Sequence, residues 1–485
     1  MTDEILAKYD MTIGIECHVQ LATATKLFSP ADNDAREKEP NSVVHPIDYG
    51  LPGMLPVLNR HAVDLAIRAG KALNADIARV SRFDRKHYFY PDLPKGYQTT
   101  QMYQPIILAG YVETALEDGT TRRVRVHHAH MEEDAGKLTH YSGYSLVDLN
   151  RAGTPLIEIV SEPDIHTPVE ARAYATELHR IMTYAGVTYG DLYQGNMRFD
   201  VNISIAPKGA TELGKRAEVK NLNSFRSVER AAEYEFRRQV ALVENGERVV
   251  QETRGWSDDT GLTTSQRSKE DAQDYRYMPD ADIPPIVLSD EEIADIQADM
   301  PMLPGEFRRM LKDSGLDFAV TETALSISDP SVRGFLAEFA DSTDGEVRRR
   351  VLNWLVIDIQ GRVAAGEETW DGKQLLKEHL IDLAHMAIDS KISSNGAVQV
   401  LFEMLRSGDA PMMIAEQHNF LQVSDEGEIA LIVEEVLADP ASAASIEDIK
   451  AGKDKAIGFL VGQVMKRSQG KANPALAQKL IRERL

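Results

Sequence analysis

The feature that most constrains this chain is the strict alternation of apolar and polar residues in two segments. From Met11 to Leu21, every second residue is apolar, and Glu16 and His18 are among the residues between them. Residues 197–205 repeat the pattern. A period of two is that of a β-strand, whose successive side chains point to opposite faces. The pattern predicts an antiparallel sheet with one face packed on a core and the other open to water or ligand.

Helix signals interrupt the strand pattern. Thr167 precedes Pro168 and Glu170, which is the order of an N-cap, a first-turn proline and a capping-box glutamate. A second helix is predicted from about Ser224 to Glu244, and a third within residues 55–75. After about residue 290, helix starts recur and the alternation ends.

These patterns predict the domain organisation. A chain of 485 residues exceeds the size that a single core usually reaches. We expect an α+β fold in which an antiparallel-sheet domain precedes an all-α helical domain and a small helical tail domain. The expected boundaries are 1–293, 294–410 and 411–485.

Composition indicates a folded cytoplasmic protein. Apolar residues make up 43% and charged residues 27% of the chain. No apolar run approaches the roughly 20 residues that cross a bilayer, so we expect no membrane association, and the first residues do not resemble a signal peptide. The single cysteine, Cys17, excludes an internal disulfide framework and a cysteine-based zinc site.

The charge distribution allows an anionic partner at one end. The net charge is −22, which disfavours nucleic acid for the chain as a whole. However, residues 451–485 contain eight lysines and arginines against two acidic residues. A basic tail indicates binding to an anion such as nucleic acid, although a solvated helix surface would look the same.

The polar faces of the predicted strands carry unusual residues. They are Glu16 and His18 on the first strand, Arg198, Asp200 and Asn202 on the second, Arg216, Glu218 and Lys220 on the third, and Glu132, Glu133 and Asp134 in the segment 128–137. Gathered over one sheet, carboxylates and an imidazole would bind Mg²⁺ and leave room for phosphate oxygens. Nearby lysines and arginines would neutralise a transferred phosphoryl group. The alternative is an ordinary exposed strand face with cross-strand ion pairs.

Several other chemistries are disfavoured. Residues 209–215 resemble a phosphate-binding P-loop, but Arg216 replaces the metal-binding Ser or Thr, and the segment links two strands as a hairpin would. No dinucleotide fingerprint follows a strand. Cys17 should point away from His18 and be buried. Because no loop suits an amidase nucleophile, amide chemistry here would have to import its ammonia.

Two further segments favour binding roles. Residues 86–101 place Tyr88, Phe89, Tyr90 and Tyr97 among prolines and lysines, which would suit stacking on a terminal base or an aminoacyl group. The alternative is a surface loop pinned by aromatic residues. Residues 148–158 are the second segment whose composition favours a functional role.

Long motifs resemble one family throughout the chain. These are IGIECHVQL at 13–21, YGLPGMLPVLN at 49–59, FDRKHYFYPDLPKGYQ at 83–98, HMEEDAGK at 130–137, SLVDLNRAGTPLIEIVSEPD at 145–164, RFDVNIS at 198–204, KNLNSF at 220–225, DYRYMPDADIPP at 274–285 and FLVGQVMKRSQGKANP at 459–474. In these stretches the sequence resembles the B subunits of the aspartyl/glutamyl-tRNA(Asn/Gln) amidotransferases.

The resemblance implies a catalytic cradle domain on antiparallel sheet, a helical domain and a tail that contacts tRNA. It implies that ATP phosphorylates the side-chain carboxylate of Glu-tRNA(Gln) or Asp-tRNA(Asn). Ammonia from the amidase (glutaminase) chain, a separate A subunit, then displaces the phosphate. A small C subunit completes a heterotrimer.

The resemblance also implies site residues. It places the Mg²⁺ ligands at Glu16, His18, Glu133 and Asp200, with Glu132 as a catalytic neighbour. Candidate contacts to ATP or to the aminoacyl end are Arg198, Lys220, Asn221 and Asn223. Candidate tRNA contacts in the tail are Lys466, Lys471 and Asn473.

One departure from the family concerns zinc. Some members carry a four-cysteine zinc site between the first strand and the Leu-Pro-Gly motif, but residues 28–50 contain no cysteine here. We expect a zinc-free loop held by packing and hydrogen bonds. Two other functions are alternatives. The clustered polar residues on the strands disfavour a tRNA-binding adaptor whose partner does the chemistry, and the basic tail disfavours an ATP-dependent ligase acting on a small metabolite.

Overall fold

The computed structural model describes residues 3–268, 274–341, 345–422, 426–450, 453–468 and 472–485. The chain divides into two compact units, Met1–Gly305 and Glu306–Leu485. The first unit is built on sheet and the second on helices, so the predicted α+β fold is confirmed. The prediction of three domains with boundaries at 293 and 410 stays a prediction.

The strands lie before residue 290. They are β1 Tyr9–Gln20, β2 Val80–Ser81, β3 Asp84–His87, β4 Tyr97–Thr100, β5 Gly110–Ala115, β6 Thr121–Glu133, β7 Lys137–Tyr141, β8 Tyr144–Asp148, β9 Pro155–Ser161, β10 Met197–Pro207, β11 Ala217–Leu222, β12 Glu252–Ser257, β13 Leu262–Ser268, β14 Met278–Pro279 and β15 Ile286–Val287.

The helices occur mostly after residue 290. They are α1 Asp3–Leu6, α2 Arg60–Ala72, α3 Pro168–Tyr184, α4 Phe225–Glu244, α5 Asp290–Ala298, α6 Pro304–Asp313, α7 Phe318–Leu325, α8 Pro330–Ala340, α9 Gly345–Asn353, α10 Gln360–Ala364, α11 Lys377–Ile388, α12 Ser394–Ser407, α13 Pro411–Gln417, α14 Glu426–Ala438, α15 Ala443–Lys450, α16 Ile457–Arg467 and α17 Pro474–Arg484. A π-helical segment, Trp354–Ile359, joins α9 to α10.

An eight-stranded sheet forms the centre of the first unit, in the order β13-β12-β11-β10-β1-β9-β6-β5. Every neighbouring pair is antiparallel except β11 and β12, which are parallel because the 20-residue helix α4 returns the chain to the same end of the sheet. The segment at 209–215 links β10 to β11 as the predicted hairpin.

The alternation seen in the sequence decides which face of the sheet is buried. Ile13, Ile15, Cys17 and Val19 are at most 1% exposed and join a core that includes residues of α2, α3 and α4. Cys17 is buried as predicted, and burial raises the pKa of its thiol well above the usual value. The polar residues of β1 lie on the opposite face, which is half-buried.

Helix signals in the sequence mark true helix ends. The Thr167 side chain accepts a hydrogen bond from the Glu170 amide, and Gly186 follows α3 with a left-handed φ of 70°. Ser224 caps α4, and α2 lies inside the predicted range 55–75.

The second unit contains a separate apolar cluster. Ile429 on α14, Leu460 on α16 and Leu480 on α17 are at most 2% exposed and pack together. Within the parts of the chain that the structure describes, no helix combines the length and apolar character needed to cross a membrane.

The loop between β1 and α2, which the sequence analysis expects to be free of zinc, is fixed by polar contacts. Lys26 and Asp48 form a buried ion pair at 3.3 Å, and Asp48 also accepts the His45 amide. Asn41 donates its backbone and side-chain N–H groups to Asp148 and Val147. Hydrogen bonds therefore hold the segment, whereas the expected absence of zinc stays a prediction.

Candidate active site on the polar face of the sheet

The site lies where β1 meets its two neighbours. Glu16 is paired in register with Asp200 of β10, and His18 is paired with both Arg198 of β10 and Glu158 of β9. Because directly opposed residues share one face of a sheet, these side chains converge on the open face. They form two groups.

The first group, the carboxylate triad, consists of Glu16, Asp200 and Glu218, whose oxygens lie within 4.8 Å of one another. Lys220 Nζ lies 2.6 Å from an oxygen of Asp200 and 3.0 Å from one of Glu218. Asn202 Nδ2 donates to Glu16 at 3.0 Å. One lysine therefore faces three carboxylates.

The charges of the triad shift the pKa values of its members. Burial, followed by the charges of Glu158, Glu218 and Asp200, raises the pKa of Glu16. Burial by itself would lower the pKa of the Lys220 ammonium group. The negative charges of Asp200 and Glu218 have the larger effect, so the pKa is raised. The triad thus has an excess of negative charge that a further cation would relieve.

A β-bulge supports this arrangement. Two residues of β11, Lys220 and Asn221, lie opposite the single residue Asp200, and the pairing register shifts there. Asn221 has a left-handed φ of 65°, a conformation that asparagine adopts more readily than most residues. The bulge places both Lys220 and Asn221 on the wall of the site.

The second group consists of His18, Glu132 and Glu158, again with ligand atoms within 4.8 Å. His130 Nε2 lies 3.2 Å from Glu158 and 3.7 Å from Glu132. Burial disfavours protonation of His130, but hydrogen bonds to the two carboxylates outweigh it and raise its pKa to about 9. Although Glu158 is buried, the hydrogen bond from His130 lowers its pKa.

His130 continues into a row of histidines along β6. His128 Nε2 lies 3.2 Å from His130 Nδ1, and His127 Nδ1 lies 2.7 Å from His128 Nδ1. Burial, followed by the charges of His130 and His127, lowers the pKa of His128 to about 4.

Glu133 is not part of either group. It follows Glu132 on β6, so its side chain points to the other face, where it contacts Lys95 Nζ and accepts the Thr99 amide at 2.9 Å. The next residue, Asp134, binds Arg151 and Arg198 at 2.6 and 3.1 Å. Burial by itself would raise the pKa of Asp134. The two arginines have the larger effect, so the pKa is lowered.

A central cavity of about 420 Å³ is lined by part of this arrangement. Glu16, Glu218 and Glu158 are not among its lining residues. The lining includes His18, Lys86, Tyr88, Glu132, Asp134, Arg198, Asp200, Lys220, Asn221, Asn223 and Tyr275, among others. The predicted site residues Arg198, Lys220, Asn221 and Asn223 therefore share one cavity with His18, Glu132 and Asp200. Lys86 and Tyr88 bring the aromatic loop predicted for binding to its wall.

The four predicted Mg²⁺ ligands do not form one cluster. Glu16 and Asp200 belong to the triad, His18 belongs to the second group, and Glu133 lies outside both. Alternation along β6 separates Glu133 from Glu132. The role of each residue stays a prediction.

Glu158 of the second group and its neighbour His130 were not predicted as site residues. Glu158 is the one charged residue in the otherwise apolar or small-residue strand β9, and this was the signal available in the sequence. His130 lies in the motif that supplied Glu132, two residues away on the same strand.

The predicted tRNA contacts lie in the second unit. Lys466 is exposed in the last turn of α16. The side-chain oxygen of Asn473 caps α17 by accepting the Ala475 and Leu476 amides. Lys471 lies outside the described residues.

Comparison with known families tests the resemblance that the motifs indicated. A family model described as the GatB/GatE catalytic domain matches residues 11–294, and one described as the GatB domain matches residues 336–485. This chain belongs to the GatB family. The resemblance inferred from the motifs is thereby confirmed.

Full-length relatives carry one common name, which designates the B subunit of aspartyl/glutamyl-tRNA(Asn/Gln) amidotransferase. The protein from Persephonella marina is 43% identical over 479 residues, covering 99% of this chain and all of its own. That from Alcanivorax borkumensis is 45% identical, covering 98% of this chain and 99% of its own. That from Thermodesulfovibrio yellowstonii is 43% identical and covers 98% of both.

Proposed function

We propose that this chain activates the side-chain carboxylate of Glu-tRNA(Gln), Asp-tRNA(Asn) or both with ATP and amidates it with ammonia. The names of the full-length relatives supply the substrates and the role as one subunit of a larger enzyme. The observation that carries the chemistry is the carboxylate triad with Lys220 beside the central cavity.

The reaction needs activation because a carboxylate oxygen is a poor leaving group. In the proposed sequence, a side-chain oxygen of the substrate attacks the terminal phosphorus of ATP, and the bond to the ADP oxygen breaks. The nitrogen of ammonia then attacks the carbonyl carbon and loses one proton, the bond to the phosphorylated oxygen breaks, and phosphate leaves with that oxygen and takes up the proton. A partner glutaminase would supply the ammonia, since this chain shows no amidase signature.

The residues present fit a hard divalent cation. The triad offers three carboxylate oxygens, the donors that Mg²⁺ prefers, whereas the second group adds an imidazole. Glu16, Asp200 and Glu218 would hold Mg²⁺, which when bound would neutralise charge on the phosphate oxygens. Lys220 now occupies part of this space, 2.6 Å from Asp200, and would turn toward phosphate when a metal displaces it.

Other residues of the cavity would orient the substrate carboxylate that accepts the phosphoryl group. Arg198 is held by Asp134 and faces the cavity, where its guanidinium can bind a carboxylate or phosphate. Asn221 and Asn223 would donate hydrogen bonds to the oxyanion formed when ammonia adds. Tyr88 and Tyr275, which line the same cavity, would help to exclude water from the activated intermediate.

In this proposal the chain works in the cytoplasm as the B subunit of a heterotrimer, whose other members are the amidase, or A subunit, and the small C subunit. Lys466, Lys471 and Asn473 would contact the tRNA body, as predicted from the basic tail. The shared name of the relatives supports an enzyme of more than one subunit.

The test uses the complete heterotrimer supplied with Glu-tRNA(Gln), ATP, Mg²⁺ and ammonium chloride, without glutamine. The Asp200→Ala variant should lose amide formation but keep tRNA binding, because Asp200 belongs to the triad. Asp259→Ala, in the exposed turn between β12 and β13, is the matched control and should keep full activity. If Asp200→Ala amidates as well as the control, the triad is not the activating site, the proposal is wrong, and the alternative of a tRNA-binding adaptor is favoured.

A further inference from the structure

The hydroxyl group of Thr253, on β12, donates a hydrogen bond to Glu218 of the carboxylate triad at 2.8 Å. It contacts Oε2 of Glu218, whereas the ammonium group of Lys220 contacts Oε1 at 3.0 Å. Each oxygen of this carboxylate therefore has its own donor, one from β12 and one from β11. The proposed function assigns no role to Thr253.

Thr253 reaches the triad because β11 and β12 pair in parallel. Glu218 lies opposite Thr253, and Lys220 lies opposite Gly255. Paired residues share one face of a sheet, so Thr253 and Gly255 lie on the open face with the triad. A side chain would not fit at the second of these positions, because a Cβ on Gly255 would lie 2.2 Å from the amide nitrogen of Gln266. Thr253 is thus the residue of β12 whose side chain lies directly opposite a triad carboxylate.

The other face of β12 is anchored in the core through Arg254. This residue is 9% exposed and donates to the side chain and the backbone carbonyl of Thr263, at 2.8 and 2.9 Å, and to Glu252 at 2.6 Å. It also lies 3.6 Å from Glu235 of α4, whose side chain is fully buried. Buried polar networks whose members are paired are rigid. The contacts of Arg254 therefore fix the backbone that carries Thr253.

The hydrogen bond from Thr253 would orient Glu218 toward a cation. Carboxylates that bind metal ions are commonly held in place by hydrogen bonds from neighbouring groups. Thr253 occupies one oxygen of Glu218 and leaves the other beside Lys220, within the triad. When a cation displaces Lys220, as the proposed function requires, the hydroxyl group would still hold Glu218. Asn202 holds Glu16 in the same way, at 3.0 Å.

Threonine is also a common strand residue, because its branched side chain suits a pleated sheet. Valine has nearly the same shape and favours strands as well, but it donates no hydrogen bond. A residue that served only the strand could therefore be replaced by valine without any effect on the triad. A residue that orients Glu218 could not.

We propose that Thr253 is a positioning residue for the divalent cation of the triad and acts through its hydrogen bond to Glu218. The cation is a hard one, Mg²⁺ or Mn²⁺, because the triad offers carboxylate oxygens. Thr253 itself contacts neither ATP nor the aminoacyl group in this proposal. The inference rests on the proposed function and adds the residue that orients one of its metal ligands.

The first test measures cation binding without turnover. Mn²⁺ is titrated into the complete heterotrimer in the absence of ATP and tRNA, and free Mn²⁺ is followed by electron paramagnetic resonance. Binding to the triad is the part that Asp200→Ala abolishes. Loss of a hydrogen bond that orients a metal ligand weakens metal binding about 10- to 100-fold, so Thr253→Val should weaken triad binding at least about tenfold. Thr253→Ser keeps the hydroxyl group and should bind within about twofold of the wild type.

Two further variants control for shape and for location. Thr253→Ala removes the methyl group together with the hydroxyl group and should weaken Mn²⁺ binding as much as Thr253→Val. Thr264→Val makes the same substitution at an exposed position of β13 and should bind Mn²⁺ as the wild type does. Each variant is purified as the heterotrimer, and an unchanged circular dichroism spectrum shows that it is folded.

A second measurement separates the cation from the substrates in steady-state amidation with ammonium chloride. Thr253→Val should raise the concentration of free Mg²⁺ that gives half-maximal activity about tenfold. At saturating Mg²⁺, its kcat and its KM for aminoacyl-tRNA should return to within about threefold of the wild type. A damaged fold would instead lower kcat at every Mg²⁺ concentration.

The outcomes distinguish this inference from the function on which it rests. If Thr253→Val binds Mn²⁺ as tightly as Thr264→Val does, or if Thr253→Ser binds it as weakly as Thr253→Val, the hydroxyl group does not position the cation and the inference is wrong. If Asp200→Ala abolishes amidation but leaves Mn²⁺ binding unchanged, the activating site stands and the inference falls. If Asp200→Ala remains active, the proposed function itself fails, and the Mn²⁺ titration still decides the role of Thr253.

Discussion

Replacing Lys220 with methionine should destabilise the sheet domain in a pH-dependent way. The change removes the ammonium group that lies 2.6 Å from Asp200 and 3.0 Å from Glu218, and leaves the triad without its cation. Breaking a fully buried ion pair costs about 3–5 kcal/mol. Because 38% of the Lys220 side chain is exposed and water screens the charges, we expect about 1–2 kcal/mol.

The assay is thermal unfolding followed across pH. A loss of about 1–2 kcal/mol in a unit of this size lowers the Tm by about 2–5 °C. The contacts raise the pKa of Lys220 above its unfolded value, so its stabilisation is complete below the unfolded pKa and is lost as pH rises through the folded one. It should also fade in acid, where carboxyl groups bind protons. The difference from the wild type should therefore be largest near neutral and mildly alkaline pH.

Two comparisons make this prediction refutable. Lys208→Met removes an exposed lysine beyond the end of β10 and should leave the Tm unchanged. Added Mg²⁺ should raise the Tm of Lys220→Met more than that of the wild type, because the ammonium group no longer competes for the triad. If Lys220→Met has the same Tm as Lys208→Met at every pH, the electrostatic account of the triad is wrong.

Three further predictions concern the fold. Gly110→Ala should cost about 1–3 kcal/mol in chemical unfolding, because its Cβ would lie 2.6 Å from the Leu73 carbonyl oxygen, whereas Gly14→Ala, with no contact under 3.9 Å, should cost little by comparison. Burial lowers the pKa of His128 from 6.5 to about 4, so the wild type should lose stability as pH falls through that range, and His128→Asn should flatten this loss in a pH series of Tm values. Leu460→Ala should destabilise the helical cluster by about 2–5 kcal/mol, seen in circular dichroism melts; an unchanged melt would contradict its place in that core.

The sheet could be predicted because its residues obey a strict period. In β1 the alternation alone separated the buried Cys17 from the open His18, and both lie as expected. Helix caps such as Thr167 could also be predicted, because a cap depends only on residues that are close together in the sequence. The parallel pairing of β11 with β12 was not predicted, because strand order depends on the crossover by α4 rather than on any local pattern.

Several residues of the candidate site could be named from the sequence, but their grouping in space could not. Glu16 and Asp200 meet because β1 and β10 pair in one particular register, which no local pattern in the sequence specifies. Glu158 was missed for the same reason: it becomes a neighbour of His18 only through the pairing of β9 with β1. Glu133 was grouped with the ligands by its motif, yet the strand period turns it toward Lys95.

The most direct test of the central claim follows an oxygen atom. Glu-tRNA(Gln) carrying heavy oxygen in its side-chain carboxylate is incubated with the complete heterotrimer, ATP, Mg²⁺ and ammonium chloride, and the released phosphate is analysed by mass spectrometry. If the sheet site activates the carboxylate by phosphorylation, each turnover should place one labelled oxygen in phosphate. The Asp200→Ala variant should release none. Amide formation with unlabelled phosphate would contradict activation by phosphoryl transfer.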